Sequence, residues 1–231
     1  MSMRIQMSTA AENAVMLSLI DEQGNSPLSI ACNEQLHALA DWLLDQHHDC
    51  IVEVVPSYAS ILIYYDAMNM DEATFIARIQ PPSDWQKQHR QTTTNSESEH
   101  QIQVCYDTVV APDLERVAQH AGLTVAEVIT QHQQPTYHVY ALGFAPGFAY
   151  LGDVPAAIRC PRLETPRQKV PALSVAIANQ QTSVYPMESP GGWNLIGQVV
   201  ELPQLKAGDK VRFIAIDLDT FKRRRQEVSH G

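Results

Sequence analysis

Apolar and polar residues alternate from Ala14 to Ile20, the period of a half-buried strand. Asn33 is placed to cap a helix running to about Gln46, with Leu36, Leu39, Leu43 and Leu44 on one face. Two β-rich runs, Ile51 to Val55 and Ser60 to Tyr65, flank Pro56-Ser57-Tyr58-Ala59 and predict a hairpin. Asp71 then opens a second helix to about Ile79. Strand, helix, strand, strand, helix suits a small α+β domain over residues 1–82. Pro81-Pro82 stops the second helix. From Ser83 to Gln101 the chain is polar, rich in Gln, Thr, Ser and Glu, which predicts a linker or mobile loop over 83–101.

The pattern changes in residues 102–231. Ile102 to Tyr106 reads as a strand, and Pro112 to Ala121 as a helix ended by Gly122. Thr124-Val125-Ala126-Glu127 is a capping box that opens a helix to about His132. Short β-rich runs follow at Tyr137 to Leu142, Ser174 to Ala178, Ser183 to Tyr185, Trp193 to Val199 and Val211 to Ile216. Their Gly and Pro punctuation predicts a barrel or a sandwich. The overall class is therefore α+β.

Charge narrows the range of partners. Residues 1–80 carry eleven carboxylates against Arg4 and Arg78, while the whole chain has a net charge of −10. Such an acidic first part argues against nucleic-acid binding. The Lys222-Arg223-Arg224-Arg225 run is expected as a solvated tail. No apolar run approaches the roughly 20 residues of a membrane helix, and the first residues lack the apolar core of a signal peptide. A cytoplasmic protein is expected, with no membrane partner. Cys32, Cys50, Cys105 and Cys160 form no CxxC pair and no disulfide framework. His47-His48-Asp49-Cys50 reads as a polar helix end rather than a metal site, so no metal is expected.

The candidate chemistry lies in residues 143–198. Gly143-Phe144-Ala145-Pro146-Gly147-Phe148 repeats a Gly-Phe step around a proline, so its backbone can turn tightly and its rings can wall a ligand. Arg162 and Arg167 each follow a proline, and paired guanidinium groups on fixed loops suit bidentate carboxylate or phosphate binding. Ser189-Pro190-Gly191-Gly192-Trp193 is a rigid turn that ends on a large ring. Phe144, Pro146, Gly147, Phe148, Arg162, Arg167, Ser189, Gly191, Gly192 and Trp193 are therefore the candidate substrate- or anion-binding residues. The chain contains no GxxxxGK[ST] loop, GxSxG elbow or HExxH helix, so no self-sufficient catalytic set is visible.

Three segments together resemble the family of 5-oxoprolinase B-type subunits, also called the allophanate hydrolase subunit 1 family, whose members include a sporulation histidine-kinase inhibitor. They are GFAPGFAYLGDVP from Gly143, PRLETPRQKVP from Pro161 and VYPMESPGGWNLIGQ from Val184. Val54 to Tyr58 and Ala207 to Phe213 also fit, so the resemblance covers most of the chain. It implies a small α+β domain followed by a cyclophilin-like β-barrel. The implied activity is ATP-dependent hydrolysis of 5-oxo-L-proline to L-glutamate, shared with A-type and C-type subunits. ATP, with Mg²⁺, is the implied co-substrate. His132 matches a family position and becomes the candidate catalytic acid or base. The alternatives are a non-catalytic inhibitor of a sensor histidine kinase and a component of a urea-type carboxyltransferase or amidohydrolase.

The chain also departs from the family pattern. A Tyr-Gly-Gly then Gly-Pro-Asp-Leu pattern is Tyr106 to Leu114 here, without its glycines. A Pro-Ala-Gly-Ser step is Pro171-Ala172-Leu173-Ser174, and a Gly-Arg-Thr step is Gly197-Gln198-Val199. Loss of these residues is expected to alter ligand binding.

Overall fold

Strands β1 (Arg4–Ala11), β2 (Ala14–Ile20), β3 (Ile51–Pro56) and β4 (Ser60–Tyr65) make one antiparallel sheet in the order β1-β2-β4-β3. The alternation read in β2 puts Val15, Leu17 and Leu19 on the covered face. Ile61, Ile63 and Tyr65 of β4 lie beside them. Helices α1 (Ile30–His47) and α2 (Glu72–Arg78) close that face with Leu36, Leu39, Leu43 and Phe75. Tyr65 stacks on Phe75 with centroids 4.4 Å apart.

The structure is a computed structural model that describes residues 4–26, 29–47, 49–82, 85 and 98–230. The chain divides into two compact units, Met1–Ser96 and Glu97–Gly231. Most of the stretch expected as a linker, including 86–97, lies outside the described residues, as does His48. Trp85 is buried with the first core, and Glu99 to Gln101 belong to a strand rather than to a linker.

Two other expectations for the first unit change. Strand β1 is not legible in the sequence, because its large apolar residues are only Ile5 and Met7, too few to mark an edge strand. Asn33 lies inside α1 rather than capping it. Its buried amide donates to the carbonyls of Ser57 and Tyr58, at 3.0 and 3.1 Å, and ties the helix to the β3–β4 turn. A buried amide satisfied by tertiary partners overrides its preference for a helix end.

The second unit is a closed, cyclophilin-like barrel. Its strands are β5 (Glu99–Cys105), β6 (Tyr137–Leu142), β7 (Ala149–Gly152), β9 (Ser174–Ala178), β10 (Gln181–Val184), β12 (Asn194–Val199) and β13 (Lys210–Ile216). Their order is β10-β7-β6-β13-β5-β12-β9, and β9 pairs with β10 to close the ring. The β5–β13 pair is parallel. Strands β8 (Arg167–Val170) and β11 (Ser189–Gly191) form a separate two-stranded ribbon.

Helices α3 (Leu114–Ala121) and α4 (Val125–Gln133) pack on the barrel core through Leu114, Val117 and Val128. Gly122 ends α3 in the left-handed region, and Thr124 with Glu127 completes the capping box of α4. The basic run expected as a tail is instead part of helix α5 (Leu218–His230). Asp217 accepts from the Thr220 amide at 2.7 Å at the start of this helix. Buried Phe221 fastens it beside Cys105 and Val200.

Candidate functional site

The Gly-Phe segment is the loop from β6 to β7. The Gly143 amide donates to the Phe148 carbonyl at 3.1 Å, and the Phe148 amide to the Ala145 carbonyl at 2.9 Å. This tight double closure needs left-handed backbone at Phe144 (φ 72) and Gly147 (φ 81). Phe148 turns inward, and Phe144 stays outside with 63% of its surface exposed.

Phe148 is the hub of an aromatic cluster. Its ring lies 4.9 Å from Tyr150, 5.3 Å from Tyr185, 5.9 Å from Trp193 and 5.2 Å from Phe144, all edge-to-face. That geometry directs ring edges at neighbouring faces, the favoured arrangement for aromatic quadrupoles. The five rings and Arg162 line a cleft of about 190 Å³, with Gly191, Gly192, Pro166 and Pro190 along its side. The Arg162 guanidinium lies over the Trp193 ring, 5.8 Å from its centroid.

Gly191 is required here by space. A Cβ at this position would lie 2.3 Å from the Tyr185 hydroxyl. Burial raises the pKa of Tyr185, opposed by the Trp193 amide hydrogen bond and the Arg162 charge. The phenol is therefore a neutral hydrogen-bonding group at the cleft wall.

The structure brings together Phe144, Phe148, Arg162, Gly191, Gly192 and Trp193 of the expected residues. Pro146 and Gly147 sit at the exposed loop tip and Ser189 lies in β11, all outside the cleft lining. The Ser189 hydroxyl is buried and makes no hydrogen bond among the described residues. Arg167 is not part of the cleft lining, and its buried Nη1 has no hydrogen-bond partner among the described residues. Its Nη2 donates to Asp113 Oδ1 at 2.7 Å, and the paired-arginine clamp expected from the sequence is not formed. Arg162 is the one charged side chain lining the cleft among the described residues.

The catalytic expectation for His132 is corrected by its placement. The residue is fully buried in the barrel, stacked 4.8 Å from Phe213. Its Nδ1 lies 2.7 Å from the Tyr106 hydroxyl and its Nε2 lies 3.0 Å from the Thr182 hydroxyl. Burial lowers its pKa to about 3. Both ring nitrogens are occupied and no face is open, so this side chain organises the core rather than transferring a proton to substrate.

Tyr150, Tyr185, Leu163 and Asp113 are not singled out by sequence reasoning. Tyr150 and Tyr185 lie inside the three segments that carry the family resemblance, so attention to every ring-bearing position there could have found them. Asp113 keeps the acid of the family's Gly-Pro-Asp-Leu pattern, but its role is not readable there, because it acts on residues 54 and 82 positions away. No group of three or more His, Cys, Asp or Glu side chains suited to a metal occurs among the described residues.

The model of the family described as carboxyltransferase domain, subdomain C and D, matches residues 5–207. The chain is 31% identical to the B-type subunit of 5-oxoprolinase from Bacillus subtilis (strain 168), covering 98% of this chain and 99% of the relative. It is 36% identical to the corresponding 5-oxoprolinase subunit of Haemophilus influenzae, covering 88% and 94%. Among solved structures, TTHA0988 is 34% identical with a TM-score of 0.70 over 88% of this chain, which spans only 40% of that longer protein. Urea carboxylase of Kluyveromyces lactis superposes with a TM-score of 0.75 over 96% of this chain and 22% of its own. At 14% identity, that likeness shows the fold alone. No helix among the described residues is long and apolar enough to cross a membrane.

Proposed function

Since the chain belongs to the family of 5-oxoprolinase B-type subunits, we propose that it serves as that subunit in a cytoplasmic, ATP-dependent 5-oxoprolinase that converts 5-oxo-L-proline to L-glutamate. The observation that carries this reading is the small aromatic cleft with Arg162 at Trp193. A five-membered lactam offers flat faces to the rings, and its carboxylate offers a partner to the guanidinium. Burial between rings excludes water from the substrate's faces and fixes its orientation, which lowers the entropic part of the barrier. The Tyr185 hydroxyl is a neutral group available to the lactam's polar edge.

The cleft does not fit ATP. Its volume of about 190 Å³ and its single guanidinium cannot cradle a triphosphate, and no P-loop is present. In this reading the cleft holds the lactam, and ATP with Mg²⁺ binds elsewhere in the assembled complex. The nucleotide would supply the free energy for opening a resonance-stabilised amide. The residues of this chain would hold the ring and keep water from its faces.

The test is co-expression with A-type and C-type subunits, followed by measurement of ATP-dependent glutamate release from 5-oxoproline. Activity of the assembled complex, with none from this chain alone, supports the proposal. An assembled complex that neither binds nor opens 5-oxoproline overturns it, as does turnover by this chain free of other subunits.

A further inference from the structure

We infer that the start of α3 is the positioning device of the aromatic cleft, with Asp113 just before the helix and Arg116 in its first turn each holding one of the segments that form it. Both residues lie outside the cleft lining; Asp113 immediately precedes α3 and Arg116 lies in its first turn. The inference rests on the reading of the cleft as the substrate site.

Asp113 grips the ribbon side. One carboxylate oxygen accepts from Arg167 Nη2 at 2.7 Å, and the other accepts from the Leu195 amide at 2.7 Å. The Asp113 amide in turn donates to the Leu195 carbonyl at 3.0 Å. Arg167 sits in β8 opposite Gly191 of β11, so the ion pair reaches the turn that carries Gly191, Gly192 and Trp193. Although Asp113 precedes α3, its carboxylate caps no helix amide. The side chain is fully engaged in these long-range contacts.

Arg116 grips the other side through Asn194. Its Nη1 donates to Asn194 Oδ1 and lies 3.2 Å from Cys160 Sγ. Asn194 is fully buried, and its amide donates to the Pro161 carbonyl at 2.9 Å and the Ile177 carbonyl at 3.1 Å. Pro161 immediately precedes Arg162, and Asn194 immediately follows Trp193. One side chain therefore ties the backbone beside the cation to the backbone beside its ring. The buried Asn194 amide has its oxygen and both donor directions paired, and a satisfied buried group of this kind is rigid enough to hold a guanidinium over an indole without a direct bond between them.

The test uses the full chain in complex with A-type and C-type subunits, labelled with 5-fluorotryptophan. Trp193 is assigned by Trp193→Phe. Arg116→Met keeps the aliphatic stem and removes the donor, and Asp113→Asn keeps the shape and removes the charge. Both variants are expected to move the Trp193 fluorine signal, as Arg162→Ala does, with the Trp42 and Trp85 signals unmoved. They are expected to raise KM for 5-oxoproline about tenfold, the order of one charge-assisted contact, with kcat within about twofold. Arg116→Lys is expected to recover part of that loss. A folded Arg116→Met with an unmoved Trp193 signal and unchanged KM overturns the inference. If the wild-type complex does not turn over 5-oxoproline, the proposed substrate fails. The fluorine signals still decide the positioning role: moved signals in both variants support it, and unmoved signals overturn it.

Discussion

The Arg162 guanidinium and the Trp193 indole form a cation–π pair at the cleft, 5.8 Å from charge to ring centroid. The ring orients the guanidinium plane, and the fork keeps donors free for an anion. Arg162→Ala should therefore weaken carboxylate binding at least about tenfold and leave the fold intact, because the side chain is exposed. Arg162→Lys should recover little, since an ammonium neither stacks nor forks. Calorimetric titration of the complex with 5-oxoproline measures this, and equal affinity of the Ala variant would remove Arg162 from the site.

Leu173 occupies a left-handed backbone position, φ 66, where related sequences are expected to carry glycine. Its amide and carbonyl are both engaged, to Tyr185 and Val199, so the chain cannot relax out of that conformation. A Cβ in this region costs about 1–2 kcal/mol. Leu173→Ala loses the half-buried side chain and keeps the strain. Leu173→Gly loses the same packing and removes the strain. The glycine variant should then be as stable as the alanine variant or more so, by up to about 1 kcal/mol, the reverse of the usual order. Thermal unfolding of the two variants decides it.

The contrast between Leu173 and Asp113 shows what the sequence could reveal. Local rules read well where local chemistry decides: the alternation of β2, the capping box at Thr124 and Glu127, and the left-handed Gly122 all stand where the sequence placed them. The barrel strands β6 and β9 match their expected bounds. The failures come from long-range partners. Asn33 reads as a cap but serves the β3–β4 turn, and Arg167 reads as an anion ligand but serves Asp113. Of the site, the three converging segments are legible. Which side chain of each segment faces the cleft is not, because the barrel closure decides it.

His132 makes stability depend on pH. Its folded pKa of about 3 lies below the ordinary value of 6.5, so between those values the unfolded chain binds a proton that the folded chain refuses. The contribution is fully present above pH 6.5 and is lost as pH falls toward 3, at about 1.4 kcal/mol per pH unit. In urea unfolding, the stability loss between about pH 6.5 and 5.5 should be smaller in His132→Gln by roughly 1 kcal/mol, since half the unfolded imidazoles are already protonated at pH 6.5. Identical pH slopes in the two proteins would show that the imidazole is not held neutral.

Gly191→Ala should destabilise the fold by about 1–3 kcal/mol, the cost of overpacking. Its Cβ would meet the Tyr185 hydroxyl at 2.3 Å and the ring carbon Cζ at 2.8 Å. Tyr185→Phe in the same chain removes only the first of these contacts, so it should restore part of the loss. Complete restoration would assign the whole clash to the hydroxyl.

Phe144 provides the test that separates folding from assembly. The ring is large, 63% exposed and carried on a left-handed backbone, so the loop accepts strain and exposes apolar area together. One side of the ring packs edge-to-face on Phe148, and the rest stays uncovered in this chain. Strain and exposure both suit a ring that is covered in an assembled complex, because a rigid exposed aromatic loses little entropy on burial. Phe144→Gly should leave the unfolding temperature of the free chain nearly unchanged, since about 1 kcal/mol of relieved backbone strain offsets the lost edge-to-face contact with Phe148. The same change should cost about tenfold or more in affinity for the C-type partner, the loss expected for a central aromatic contact. Unfolding scans read the first effect and a biosensor titration reads the second. A variant that melts early and still assembles with full affinity would make Phe144 a structural residue of the loop and move the partner surface elsewhere on the barrel.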